Sequence, residues 1–238
     1  MRTRLRRNPA RLHLILMLAL TFSTGVIDAV GYLGLDRVFT ANMTGNVVIL
    51  GMGLTGADDL PILGPTVALV TFLLGAALAG RILRPVPAGW TGRSTSLFGV
   101  VSVIVLAGAV VAWSIPSPRP DAVAQVITGL LGLGMGIQAG AARHIAVKDV
   151  TTVVVTSTLV GFAFDSRFGG NSGQQWQRRF AAVVLISAGA ALGALLLRVD
   201  LGTGMAVNAG ITLAVALVGH YGMPEPVVAA EDPAAASA

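Results

Sequence analysis

The chain has 238 residues, and 54% of them are hydrophobic against 11% charged; with a mean hydropathy of +0.79, this excludes an ordinary soluble domain. Aromatic residues make up only 5% and Gly reaches 30, so bulk comes from Ala, Val, Leu and Gly, which suits helices packed closely in lipid. The apolar runs are continuous rather than alternating, which argues against a β-barrel. The net charge of +5 centres on Arg2, Arg4, Arg6, Arg7 and Arg11, directly before an apolar run, so it reads as a cytoplasmic flank and implies no nucleic-acid partner.

In chain order, 1–11 is a basic cytoplasmic N-terminus, and 12–27 opens the first predicted span, continuing past Asp28 toward Leu35. No small-residue cleavage site follows it, so it reads as a retained helix rather than a signal peptide. Segment 38–57 is apolar, but it contains Asn42, Thr44, Gly45, Asn46 and further glycines. Spans are then predicted over 61–80, 94–117 and 122–142, each close to the roughly 20 residues that a bilayer crossing needs. Segment 150–164 covers only about 22 Å as a helix and falls short of a crossing. Two more spans, 180–197 and 201–224, precede a Pro- and Ala-rich tail, 223–238, expected to be disordered.

The placement of Lys and Arg decides how segments 38–57 and 150–164 run, since basic loops favour the cytoplasm. If both are re-entrant or broken helices, the inner face collects Arg2, Arg4, Arg6, Arg7, Arg11, Arg81, Arg84, Arg93, Arg143, Lys148, Arg167, Arg178 and Arg179; the outer face keeps Arg37, Arg119 and Arg198, a ratio of 13 to 3. If both cross fully, Arg81, Arg84, Arg93, Arg143 and Lys148 move out and Arg119 moves in, leaving 9 to 7. The expected fold is therefore an all-α integral membrane protein with six transmembrane helices plus two re-entrant segments and both termini in the cytoplasm.

The two halves match. Ile27-Asp28-Ala29 aligns with Ile137-Gln138-Ala139, and the Asn42 to Val48 stretch with Val154 to Val160. Three crossings per half make 12–117 and 118–222 an inverted 3+3 repeat, a recurring transporter design in which interrupted helices meet near the midplane.

The strings Gly25-Val26-Ile27-Asp28-Ala29 and Val38-Phe39-Thr40-Ala41-Asn42-Met43-Thr44-Gly45-Asn46 resemble the hallmark of the YoaK-like bacterial membrane family, a domain of unknown function. Gly136-Ile137-Gln138-Ala139-Gly140, Asp149-Val150-Thr151-Thr152 and Thr156-Ser157-Thr158-Leu159 resemble its second hallmark, with Gly140 and Ser157 departing from the usual Asn and Gly. The resemblance covers about residues 12–222, and it implies a six-span protein of the bacterial inner membrane with no settled substrate.

Asp28 is the one carboxylate inside a predicted span, and an ionisable group at that depth faces a cavity or a partner. Asn42, Thr44, Gly45 and Asn46 add amides, a hydroxyl and a glycine able to take the φ of a turn. Gln138, Thr152, Thr156, Ser157 and Thr158 form the corresponding set in the second half, beside Thr151. These ten residues are the candidate substrate- or ion-binding site of a secondary transporter or facilitator for a small polar solute, with Asp28 as the proton-coupling group. The alternatives are a passive channel and a non-transporting scaffold or regulator. Asp149, Arg143 and Lys148 read as cap and interface residues. Gly132, Gly136 and Gly140, with Gly189 and Gly193, read as close helix crossings whose small-residue stripes also allow a homodimer.

Cys is absent, and His13, His144 and His220 lie apart, so no metal, no cofactor and no enzymatic role are expected. A phosphate loop is also missing, which excludes ATP-driven transport within this chain.

Overall fold

A computed structural model describes residues 9–115, 117–145, 155–164 and 176–222, and all eight α-helices in it follow the apolar runs. They are α1 (Pro9–Gly34), α2 (Met43–Gly53), α3 (Leu63–Leu83), α4 (Gly92–Ser114), α5 (Asp121–Ile145), α6 (Val155–Phe164), α7 (Trp176–Leu196) and α8 (Leu201–Gly222), with a single 3₁₀ turn at Ala57–Asp59. Six of them, α1, α3, α4, α5, α7 and α8, are long and apolar enough to cross a membrane. At 1.5 Å per residue, α2 reaches about 16 Å and α6 about 15 Å, half a hydrocarbon core. The arginine cluster from Arg2 to Arg7, Lys148, Asp149, Arg167 and the 223–238 tail lie outside the described residues.

Glycine contacts set the direction of every span. On α1 and α7, Gly25 faces the backbone of Ile186 and Ala190, Gly189 faces Phe22 and Val26, and Gly193 faces Val26, so the two helices run parallel. Likewise α3 and α5 run parallel, since Gly132 faces Ala68, Gly136 faces Phe72 and Gly140 faces Ala76, while Gly75 faces Leu133. In each crossing a Cβ would collide with a main-chain carbonyl of the neighbour, which is why the small-residue stripes are there. The seam between α4 and α8 is antiparallel: Gly202 lies under the Trp113 indole at one end and Gly219 under Trp90 at the other. Helices α1, α4 and α7 therefore point one way and α3, α5 and α8 the other, and α2 begins and ends on the side where α1 ends.

The packing pairs exchange when the first four helices are swapped for the last four. Pair α1·α7 becomes α5·α3, α1·α8 becomes α5·α4, α2·α3 becomes α6·α7, and α4·α8 maps onto itself. Gly25 and Gly136, 111 positions apart, make the same contact, as do Gly75 and Gly189, 114 apart. That register differs from the sequence alignment by one residue: Gln138 corresponds to Ile27, and Ala139 to Asp28.

The core lies between α1, α4, α5 and α8, around Leu20, Ile27, Phe98, Leu131, Met135 and Met205. Exposed Leu73, Leu74, Val103, Leu106, Val184 and Leu195 clothe the outside, as lipid-facing helix surfaces require.

Candidate functional site

Asp28 sits about 9 Å below the end of α1, and its Oδ1 gathers the loop that follows. It accepts from the backbone N–H of Thr40 at 2.9 Å, Ala41 at 2.7 Å and Asn42 at 3.4 Å, and from the Thr40 hydroxyl at 3.4 Å. Successive N–H groups around one carboxyl oxygen form a nest that satisfies that oxygen without a cation. Gly31 lets the loop press this close, because a Cβ there would meet the Val38 carbonyl and the Thr40 methyl at 2.7 Å.

The glycine-asparagine motif finishes the same loop. The side chain of Asn42 caps α2 by accepting from the Gly45 N–H at 3.3 Å. Buried Asn46 clamps Phe39, its Oδ1 accepting from Phe39 N–H at 2.9 Å and its Nδ2 donating to Phe39 C=O at 2.6 Å. Phe39 in turn stacks on Tyr32, with centroids 4.8 Å apart. Gly45 is helical and takes no turn conformation, contrary to the sequence reading; glycine is needed because a Cβ would stand 2.7 Å from the Phe39 ring. Thr44 is exposed and makes none of the hydrogen bonds found in this cluster, so it is not part of it. Asp28, Asn42, Gly45 and Asn46 do come together. The Asp28 Oδ2 has no hydrogen bond among the described residues.

Gln138 stands apart from that cluster, at the centre of a second one. Its Nε2 donates to Thr24 Oγ1 at 3.4 Å and its Oε1 accepts from Thr212 Oγ1 at 3.4 Å. Thr212 lies 3.4 Å from Ser23 Oγ, and Asn208 Nδ2 donates to both the carbonyl and the hydroxyl of Ser23 at 2.7 Å. All five side chains are buried, and Asn208 Oδ1 is a buried acceptor with no partner among the described residues. The cluster lies near the middle of α1 and α8, one helical turn below Asp28 on α1, and it joins α1, α5 and α8. Sequence reasoning found Gln138 but missed Ser23, Thr24, Asn208 and Thr212. The signal was present in Asn208 and Thr212, two polar residues spaced i, i+4 inside an apolar span.

Thr151 and Thr152 lie outside the described residues, and of Thr156, Ser157 and Thr158 only the helical backbone is described. Their helix, α6, packs on α7. The three histidines all lie at the end where α1 begins, away from both clusters: His13 stacks on Trp90 at 5.9 Å, His144 lies 2.9 Å from the Pro87 carbonyl, and His220 meets Tyr221 edge-on.

At the end where α1 finishes, Asp200 caps α8. Its Oδ1 accepts from Thr203 N–H at 2.7 Å and Trp113 Nε1 at 2.8 Å, and its Oδ2 from the Thr203 hydroxyl at 2.6 Å. Desolvation works to raise this carboxyl, but the hydrogen bonds from Thr203, Trp113 and Gly202 outweigh it and hold Asp200 below the usual carboxylate range.

The family model described as a protein of unknown function (DUF1275) matches residues 16–218. The UPF0700 transmembrane protein YoaK of Bacillus subtilis (strain 168) is 28% identical over 151 residues, covering 63% of this chain and 65% of that protein, just under two thirds of its length. No solved structure matches the chain. With six membrane-crossing helices and a family match spanning both halves, the chain belongs to the DUF1275 family and is an integral membrane protein.

Proposed function

We propose that this protein is a secondary transporter or facilitator that moves a small polar solute across the bacterial inner membrane, with both termini in the cytoplasm and Asp28 as the proton-coupling group. The observation that carries the reading is the buried cluster of Ser23, Thr24, Gln138, Asn208 and Thr212, with its unpartnered Asn208 Oδ1. Polar side chains in a span are costly and mark solute or ion pathways. This cluster also lies on a seam. Helices α1 and α7 are locked by Gly25, Gly189 and Gly193, and α3 and α5 by Gly75, Gly132 and Gly136, whereas α1 and α5 touch lightly and are bridged by Thr24 and Gln138.

Two rigid pairs meeting at a polar seam are suited to alternating access, each pair combining one helix from either half. The nest around Asp28 lies one turn toward the outer face, so displacing the 40–42 loop would open a route from outside to the cluster. A proton on Asp28 would weaken the nest by removing its anionic acceptor, which links loop release to protonation.

The reading is tested in proteoliposomes holding a trapped pH dye and challenged with amino acids, polyols, sugars and nucleobases. Saturable, counterflow-competent uptake of one class, lost in Asn208→Leu, is the expected result. Absence of protein-dependent flux for every solute, with the protein inserted and folded, would overturn it in favour of a scaffold; fast unsaturable flux would favour a channel.

A further inference from the structure

We infer that the outer end of the bundle carries a binding site for the anionic headgroup of an amphiphile, a phosphate or carboxylate held by Arg119 and Arg198. A bowl of about 770 Å³ opens where the ends of α1, α4 and α7 meet the start of α8. That end of the bundle has three basic residues among the described ones: Arg37, Arg119 and Arg198. Arg37 is engaged with Asp58, 3.6 Å from its carboxylate and 3.3 Å from its carbonyl. The other two both line the bowl.

The guanidinium of Arg119 is fixed by Nη1 donating to Ser117 Oγ at 2.6 Å and Nη2 donating to the Ala112 carbonyl at 2.9 Å. Its Nε is buried and has no partner among the described residues. Neither arginine forms an ion pair among the described residues, and no hydrogen bond of the Arg198 side chain is found among them. The one carboxylate in the bowl, Asp200, is committed to Thr203 and Trp113. Two guanidinium groups thus line a shared space against a single carboxylate, which leaves an excess of one positive charge there, and guanidinium is the side chain whose fork matches the oxygens of phosphate and carboxylate.

The rest of the bowl points to an amphiphile rather than a bare ion. Leu33 and Val199, 61% and 71% exposed, stand on its rim beside the half-exposed Trp113. Apolar side chains beside arginine and tryptophan at the end of a span accommodate acyl chains next to a headgroup.

The test uses the full-length protein in vesicles of dibrominated phosphatidylglycerol or dibrominated phosphatidylcholine. Bromine quenching of Trp113 is isolated as the emission lost between wild type and Trp113→Phe. Phosphatidylglycerol is expected to quench preferentially, and Arg198→Gln is expected to lower that preference about fivefold, the effect of one basic residue near an anionic surface. The Arg119→Gln/Arg198→Gln pair should abolish it. Since Arg198 anchors nothing in the fold, the single variant keeps the test valid even where the double variant misfolds. Displacement of the brominated lipid by inorganic phosphate, seen in wild type and missing in Arg198→Gln, would assign the same site to a free anion. Equal quenching by both lipids without a phosphate effect, or a preference that survives Arg198→Gln unchanged, overturns the proposal.

Discussion

Asn208 and Ser23 tie the last span to the first: one amide group donates twice to one serine, at 2.7 Å to its carbonyl and 2.7 Å to its hydroxyl, while the amide oxygen has no partner among the described residues. Interhelical hydrogen bonds of this kind contribute about 0.6 kcal/mol each in a membrane. Asn208→Ala is therefore expected to destabilise by about 1 kcal/mol in thermal unfolding. Asn208→Leu, which also removes the orphaned acceptor at similar volume, should unfold within about 1 kcal/mol of wild type and yet lose flux. Full transport by a folded Asn208→Leu protein would exclude the central cluster from the solute path.

Asp28→Asn keeps one acceptor for the three N–H groups of residues 40–42 but removes its charge. Insertion should be intact. Uptake should become independent of pH between about 5 and 8, and a cysteine placed at exposed Thr44 should react faster because the loop is held less firmly. Retained pH dependence in the variant would remove Asp28 from the coupling step.

Gly75 and Gly189 occupy equivalent crossings, each facing a carbonyl and an amide one turn apart on the neighbouring helix. Gly75→Ala and Gly189→Ala are expected to destabilise by similar amounts, about 1–3 kcal/mol each, as overpacking does. Gly99→Ala, with open space around the added methyl, should not destabilise. A large cost at one crossing and none at the other would break their equivalence.

The chain has no native cysteine, so Ala57→Cys and Ala88→Cys report topology against a clean background. Both positions are exposed, at opposite ends of α3. An impermeant thiol reagent should label position 57 in intact cells and position 88 only after permeabilisation. The reverse pattern would invert the orientation argued from the basic loops.

Asp200 is held below its usual range, so its contribution to stability is complete above the unfolded value of about 3.9 and is lost as the pH falls through the lower folded value. Asp200→Ala should therefore cost about 1 kcal/mol at pH 7, the usual value of a helix cap. That difference should narrow steadily as the pH is lowered below about 3.9, followed by thermal unfolding in detergent. A gap that does not narrow as the pH falls would show that the Ala variant loses packing rather than an ionised cap.

Much of the architecture was legible because its causes are local. Uncharged length set the six spans, the polar residues and glycines of 38–57 and the shortness of 150–164 set these two segments apart, and Gly132, Gly136 and Gly140 announced a crossing by spacing alone. The site was legible only in part, since polarity shows that a residue needs a partner but not which one. Asn46 satisfies itself on Phe39 seven residues away, and Asp28 on backbone groups that any sequence supplies. Gln138 pairs with Thr24 and Thr212, residues 114 and 74 positions distant, and a one-residue error in register was enough to set it opposite Asp28.

The close partner of α1 is α7, and that of α3 is α5, so each glycine-faced helix of the first half finds its match in the second. During synthesis the first four helices enter the membrane with Gly25 and Gly75 uncovered until the remainder arrives. Neither half should therefore persist alone in a cell. Two fragments divided in the 115–120 loop and produced together should protect each other from degradation, since every missing surface of one is carried by the other.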